Sequence, residues 1–414
     1  MEYLDLDLNL TDKDRAIRQS AHEFAKEVMR PIAKQLDEMK PEEAIAPGSP
    51  YWDFLKQAYE LGYHKFGLPE QYSGMNTSLL QTMLIVEELA WGSAGLAVAL
   101  GVAGMPAQLA ALAPNDDLVK NIIVPFCECR DGSMRGCWGI TEPDHGSDTL
   151  MPGYPSFRDP KIEANCRARL DGNEWVINGQ KSSWVSCGTV STHCLLYCQI
   201  DSSMGHAGSG IFIVPADRPG VSKGKPLNKL GQRDENQGEI FFDEVRIPKS
   251  YQICGPEAYE AFLEGTLAGT MCMMGIIGTA IGRAAYEESL AYAKKRVQGG
   301  RTLIDYTHVK MTLFNMLRRV EASRYLTRNA FIYNQTVAPP ALEYSQMSKI
   351  QGTETAFKNT HEAIQIFGGN GLAKEFLIEK LFRDARATLI EDGSNQIIAI
   401  AGGHTLAETY PRRK

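Results

Sequence analysis

From Thr11 onward the apolar positions Ile17, Ala21, Phe24, Val28 and Ile32 recur at the spacing of one helix face. Thr11 stands where its hydroxyl can accept from the backbone of the first turn, so the pattern predicts an amphipathic helix with a capped start. The Pro/Gly-rich stretch "PEEAIAPGSP" interrupts it, and helical periodicity resumes through "WDFLKQAYELGY" and "SLLQTMLIVEELAW". The run "AGLAVALGVAGMPAQLAALAP" has the length of a membrane span. Its Ala/Gly content and the interruptions at Pro106 and Gln108 instead predict a buried pair of helices joined by a turn, and no span.

The pattern then changes. "RARLDGNEWVINGQKSSWVSCGTVSTHCLLYCQI" is rich in β-branched and aromatic residues, with Asp-Gly and Asn-Gly turn signals between short runs. "SGIFIVPA" and "GEIFFDEVRIP" continue in that style, which predicts a compact antiparallel β domain ending near Pro248. No strand-helix alternation of a doubly wound nucleotide fold is present. Helical patterning returns from about Pro256. "GTMCMMGIIGTAIGRAAYEESLAYAKKR" carries no charge before Arg283, so its first half must be buried, against the chain's own core and against other subunits. Gly278 and Gly282, four residues apart, allow a second helix to approach closely. The chain reads as an α+β multidomain protein: an N-terminal α-helical domain over 1–132, a middle antiparallel β domain over 133–248 and a C-terminal helical domain over 249–414.

Composition narrows the partners. A net charge of -7 over 414 residues gives no electrostatic reason to expect nucleic acid or an anionic membrane. The eight histidines are scattered, and none forms an HExxH pair or joins a CxxC, so no metal site is predicted. Nine cysteines, with the pair in "FCECR" spaced CxC, read as free thiols of a reducing cytoplasm. The acidic start "MEYLDLDLNL" lacks the basic and apolar regions of a secretion signal, which agrees with a cytoplasmic protein.

Several stretches suit a large, planar, phosphate-bearing ligand. "CWGITEPDHGSD" gathers Trp138, Ile140, Thr141 and Ser147 around Pro143 and Gly146, where hydroxyls and open backbone N–H groups can meet carbonyl or phosphate oxygens. "KSSWVSCG" supplies Trp184 and Ser186, two residues apart and on one face if the segment is a strand. "RVQGGR" sets Arg296 and Arg301 beside two glycines, and "QIFGGNG" sets Gln365 before Gly368 and Gly369. Neither completes a dinucleotide fingerprint, and no GxSxG elbow or P-loop occurs. "LIEDGSNQII" places two carboxylates, Glu391 and Asp392, against the glycine turn at Gly393.

Taken together, these stretches resemble the acyl-CoA dehydrogenase family of flavoproteins. The resemblance runs in family order through "VEELAWGSAG", "GITEPDHGSD", "INGQKSSWVSCGT", "GQRDENQGEIFFDEVRIP", "QIFGGNGLAKEFLIEKLFRDAR" and "EDGSNQI". It implies a C-terminal four-helix-bundle domain, a homotetramer, and FAD held between the β domain, the helices and a neighbouring subunit. It implies that Thr141 and Ser186 bond the flavin edge, that Trp184 shields one flavin face, and that Ser147 contacts the FAD or CoA side of the cleft. Arg296, Gln365 and Gly369 match positions on the adjacent subunit's FAD, while Ser394 and Gln396 match positions on the near subunit. The implied reaction is α,β-dehydrogenation: a carboxylate takes the acidic Cα proton of a thioester, a hydride leaves Cβ for flavin N5, and a backbone N–H beside the base, at Gly393, holds the enolate oxygen. An electron-transfer flavoprotein is the implied acceptor.

Two departures from the family pattern bear on the substrate. Asp392, not Glu391, aligns with the usual catalytic Glu, and it is one methylene shorter, so Asp392 is the expected base with Glu391 as the alternative. At the position where some members carry their Glu, this chain has Gly269, and Thr270 follows where an Arg is common. The insert "MPGYPSFRDPKIEANC" is also longer than the family's link. These features lead to the expectation of a bulky, branched or cyclic acyl group. A flavin-retaining lyase such as a desulfinase and a silent acyl-CoA-binding subunit remain as alternative readings.

Overall fold

The computed structural model describes residues 5–7 and 9–409, so part of the acidic start lies outside the described residues. The N-terminal segment holds α1 (Asp12–Phe24), α2 (Arg30–Glu38), α3 (Pro41–Ala44), α4 (Pro50–Glu60), α5 (Leu79–Gly92), α6 (Ala94–Leu112), α7 (Asp116–Leu118) and α8 (Val124–Glu128). Thr11 Oγ1 accepts from the Asp14 backbone N–H while the Asp14 carboxylate accepts from the Thr11 N–H, a reciprocal cap of the first turn. The expected helix pair with a turn is instead the single helix α6, with Pro106 inside it. The turn signal fails because tertiary packing overrides it: a Cβ at Gly136 would lie 2.4 Å from Pro106 Cγ, so the ring is seated against the first strand.

The middle segment forms one sheet from β1 (Gly136–Gly139), β2 (Arg167–Asp171), β3 (Glu174–Lys181), β4 (His193–Gln199), β5 (Ser209–Pro215), β6 (Val221–Lys223), β7 (Ile240–Pro248) and β8 (Gln252–Cys254). The strand order is β6-β7-β3-β2-β4-β5-β8, with β1 also beside β4. The expectation of an antiparallel domain needs one correction, because β1 and β2 each pair with β4 in parallel. Parallel neighbours need a long connection; the chain over 140–192 supplies it between β1 and β4, and the chain over 172–192, which includes β3, supplies it between β2 and β4. Of the two turn signals, Asp171-Gly172 closes the β2–β3 hairpin, whereas Asn178-Gly179 is an irregularity within β3, where Gly179 sits at φ 132°.

In the C-terminal segment, α9 (Pro256–Lys295) is followed by the short hairpin β9 (Val297–Gln298) and β10 (Arg301–Thr302), then α10 (Thr307–Asn334), α11 (Leu342–Phe367), α12 (Leu377–Thr388) and α13 (Asn395–Thr409). Helices α9, α10, α11 and α12 pack as the four-helix bundle, with α13 against α11. Both α6 and α9 are long and apolar enough to cross a membrane, but most of each is buried inside the chain. The uncharged stretch of α9 over 269–282 is thus mostly buried by its own chain's helices. A Cβ on Gly278 would stand 2.5 Å from the Gly352 carbonyl carbon, and one on Gly352 would stand 2.0 Å from the Gly275 oxygen. Gly352→Ala is therefore expected to destabilise the chain by about 1–3 kcal/mol through overpacking at the α9–α11 crossing, read as a lower midpoint in urea with an unchanged slope.

Arg283, the first charge after the uncharged stretch over 269–282 of α9, is accounted for by "VEELAWGSAG". Its guanidinium donates to Glu87 and Glu88 of α5 at 3.0 and 2.8 Å, and Arg324 and Arg328 of α10 reach the same Glu87 at 2.8 and 3.2 Å. These groups are nearly devoid of solvent contact, so the first and last segments share one buried ionic network.

Candidate active site

Four segments converge on one cavity of about 750 Å³. They are the loop after β1, the turn after β3, the loop before β7, and the end of α12 with the turn that follows. Its walls include Trp138, Ile140, Thr141, Ser147, Trp184 and Ser186 from the sequence-derived set, together with Glu391, Asp392 and Gly393. Residues some 250 positions apart thus meet as expected.

The loop after β1 is clamped from beneath. Glu142, 4% exposed, accepts from Lys181 Nζ at 2.6 Å and from the backbone N–H groups of Asn165 and Cys166 at 2.6 and 3.1 Å. Lys181 also donates to the Ile140 carbonyl at 3.2 Å. Burial alone would raise the Glu142 pKa, but the ammonium beside it and the three donors bring it below the usual carboxylate value. The insert continues from this loop and is braced on α9: Glu260 accepts from Arg158 at 2.5 Å and from the Gly153 N–H at 2.8 Å, and Phe157 is buried.

Trp184 and Ser186 require a correction. They lie in a turn beyond the end of β3, with Val185 N–H donating to Ser182 O at 3.3 Å and Cys187 at φ 60°. β3 stops because the Ser182 N–H is taken by the Thr141 carbonyl. The turn brings Ser182 Oγ to 2.8 Å from Thr141 Oγ1, and Ser186 Oγ accepts from Gln237 Nε2 at 3.3 Å. Trp184 is left 60% exposed at the rim.

Also lining the cavity, the chain after α12 turns through Asp392 at φ 53° and Gly393 at φ 95°. Asp enters this left-handed region more readily than most residues with a side chain. Lys349, fully buried on α11, donates to the Gly393 carbonyl at 2.7 Å and to Asn395 Oδ1 at 2.8 Å, and Ser147 Oγ accepts from the Ser394 N–H at 2.9 Å. Glu391 Oε2 accepts from Gln232 Nε2 at 2.8 Å. The Gln232 loop is itself held close to α12, since a Cβ at Gly231 would stand 2.2 Å from the Arg383 carbonyl oxygen.

These carboxylates are poorly solvated. Burial pushes Asp392 up to about 7 despite the pull of Lys349, with Glu235 adding repulsion. Burial and the neighbouring Asp392 push Glu391 up to about 7, against the Gln232 hydrogen bond and the two lysines Lys229 and Lys349. Burial lowers Lys349 to about 8, opposed by the two acids. Lys349→Met is expected to move the acidic limb of the kcat/KM pH profile upward, with a loss of about tenfold at pH 7 for each unit of movement; Lys349→Arg restores it if charge is what matters.

The remaining sequence-derived residues lie elsewhere. Arg296 is exposed at the end of α9, and Gln365, Gly368 and Gly369 are exposed at the end of α11. The two ends lie side by side, because Tyr292 stacks on Phe367 at 4.0 Å and its hydroxyl accepts from Asn370 Nδ2. Ser394 stands just before α13 and Gln396 in its first turn, and Gln396 is exposed. Thr270 is half-buried on α9, with Gly269 beside Gln335, and neither lines the cavity. Sequence reasoning missed Glu142, Lys181, Gln232 and Lys349. Glu142 and Gln232 stand within motifs already noted, but nothing in the pattern of α11 singles out Lys349.

Three family descriptions match in series: "Acyl-CoA dehydrogenase, N-terminal domain" over residues 11–127, the middle domain over 137–245 and the C-terminal domain over 261–404. The short-chain specific acyl-CoA dehydrogenase of Rattus norvegicus mitochondria is 30% identical over 95% of this chain and 90% of its own length. Among solved structures, butyryl-CoA dehydrogenase from Megasphaera elsdenii superposes with a TM-score of 0.85 at 25% identity, covering 97% of this chain and 100% of the other. Glutaryl-CoA dehydrogenase from Mycobacterium smegmatis, in complex with FADH2, gives 0.82 at 22%, covering 97% and 96%, and shares the fold. The chain belongs to the acyl-CoA dehydrogenase family. Its reaction is accordingly the dehydrogenation of an acyl-CoA, and its cofactor is FAD.

The residues present fit that cofactor. The cavity volume is that of a bound organic ligand, an indole is open at the rim to cover a flat ring, and the hydroxyl residues Thr141, Ser182 and Ser186 line it, the first two 2.8 Å apart.

Proposed function

We propose that this enzyme dehydrogenates a CoA thioester with a bulky, branched or cyclic acyl group, and that Asp392 takes the Cα proton. The observation that carries this reading is that Asp392, Glu391 and the Trp184 turn line the same cavity. Thr141, Ser186 and Trp184 are the residues that would hold the flavin ring. Bound FAD supplies the acceptor for the hydride leaving Cβ. Asp392, raised by desolvation, is basic enough near neutrality to remove a thioester α proton. Gly393, its carbonyl held by Lys349, keeps the backbone beside the base in a fixed turn where an enolate oxygen can be met. Glu391, anchored by Gln232, is the alternative base.

The acyl preference rests on the shorter reach of Asp392 alone, because Gly269 and Thr270 lie away from the cavity. Anaerobic mixing with a panel of acyl-CoAs tests it: branched and cyclic substrates are expected to bleach the flavin at least about tenfold faster than straight medium chains, since one misplaced methylene is worth roughly 10–200-fold. Straight chains reacting fastest would overturn the preference, and product formed without bleaching would indicate a lyase. We further place an electron-transfer flavoprotein as acceptor and a cytoplasmic homotetramer as the working form. In it, Arg296, Gln365, Gly368 and Gly369 would complete the neighbour's FAD site, with Ser394 and Gln396 on the near side. The exposure of the first four supports that arrangement, and the nine unpaired cysteines support the compartment.

A further inference from the structure

Two of the histidines that look scattered in the sequence converge at the end of the cavity loop, where His145 belongs to the cavity wall and His206 lies beneath it. His145 and Asp148 belong to the end of that loop and the short turn Ser147–Leu150, and His206 belongs to the Ser202–Gly208 connection between β4 and β5. His145 Nδ1 and His206 Nε2 both approach Asp148 Oδ2, at 2.8 and 3.2 Å. The other carboxylate oxygen, Oδ1, accepts from the Gly146 N–H at 2.7 Å, which fixes the carboxylate plane. The two imidazoles lie edge to face, with centroids 4.9 Å apart. His206 is 3% exposed and backed by the Phe157 ring at 5.7 Å, whereas the Asp148 side chain is 40% exposed.

We propose that His145 Nδ1, His206 Nε2 and Asp148 Oδ2 form a binding site for a divalent transition-metal ion. Ligand atoms each about 2.1 Å from one ion, at right or tetrahedral angles, are roughly 3.0–3.4 Å apart, and the two separations to Oδ2 differ from that range by at most 0.2 Å. Among the described residues this is the cluster in which three potential ligand atoms all lie within 4.8 Å of one another. In the metal-free form each ring presents a proton to the same oxygen; an ion replaces both protons and uses all three lone pairs at once. Two imidazoles select Zn²⁺, Co²⁺, Ni²⁺ or Cu²⁺ over Mg²⁺ or Ca²⁺, which take oxygen ligands. The open side at Asp148 leaves further positions to water. The ion would tie the loop carrying Thr141 and Ser147 to the β4–β5 connection, and so would act as a lock on that loop and not as a reactant. The assignment is independent of the acyl group and of the identity of the base.

Calorimetric titration of the chelator-treated holoenzyme with Zn²⁺ tests this. One Zn²⁺ per chain is expected, with a higher midpoint of thermal unfolding, and with at least about tenfold weaker binding in His145→Gln and in His206→Gln. The electron paramagnetic resonance spectrum of the Cu²⁺-loaded enzyme is expected to show two coupled nitrogens, reduced to one in either variant. Absence of saturable uptake, or the same uptake in parent and variants as scattered thiol or surface binding would give, overturns the assignment. His145 lies nearer the surface than His206, so His145→Gln keeps the test decisive if the buried His206 variant does not fold.

Discussion

Asp392→Asn is expected to lower kcat by about 10³-fold, within the range lost when a general base is removed, while the protein keeps its flavin absorbance. The substitution preserves shape and removes only the charge that accepts the proton. In the parent, the rate should rise with pH through a limb near 7, because the ionised form is the active one and burial holds the group at about 7. A second consequence follows from linkage. A carboxylate raised from 3.8 to about 7 in the folded state favours its protonated form, so its stabilising contribution is complete below 3.8 and is lost as pH climbs through 7. The Asn variant escapes that loss and should therefore be at least as stable as the parent at pH 8. Stopped-flow reduction by an acyl-CoA across pH 5.5–8.5 reads the first effect and thermal melts read the second. If Glu391→Gln abolished bleaching and Asp392→Asn retained the parental rate, the roles of the two acids would be exchanged.

Lys181→Met is expected to have the largest effect on folding. It leaves Glu142 buried with two backbone donors but no counter-charge, and breaking such a pair costs about 3–5 kcal/mol. The loop over 140–147 would lose its clamp, so FAD retention on dialysis should fall together with the urea midpoint. The double variant Glu142→Gln/Lys181→Met should recover part of the stability, since no charge then remains buried. The pH sign is opposite to that of Asp392. Glu142 is held below its ordinary 4.5, so its stabilising share is complete above 4.5 and is lost as the solution is acidified through the lowered value.

Much of this arrangement could be read from residue order because the signals were local. Thr11 caps its helix through a partner three residues away, Asp171-Gly172 turns a hairpin, and the glycines of α9 mark a helix crossing whatever the partner is. The loop at Trp138–Ser147 and the turn at Asp392–Gly393 were visible for the same reason: each needs special backbone or side chains within a few positions. Pro106 misled because its cost is met by a strand glycine thirty positions later. Trp184 was assigned to a strand because its β-type composition outweighed the hydrogen bond between Ser182 N–H and Thr141 O that ends the ladder. Lys349 left no trace, since a lysine on a helix normally signals solvent, and only tertiary structure shows it beneath the base turn.

The arginines that reach Glu87 and Glu88 from α9 and α10 set a limit on modularity. A fragment comprising only the first 130 or so residues would carry those two acids inward with no guanidinium from α9 or α10 to meet them, and a fragment holding only the last helices would leave Arg283 and Arg324 with Glu287 and Glu321 but without Glu87 and Glu88. The first and last matched segments therefore mark divisions of the sequence and not separable folding units, and grafting either from a relative would require transplanting its counter-ions as well.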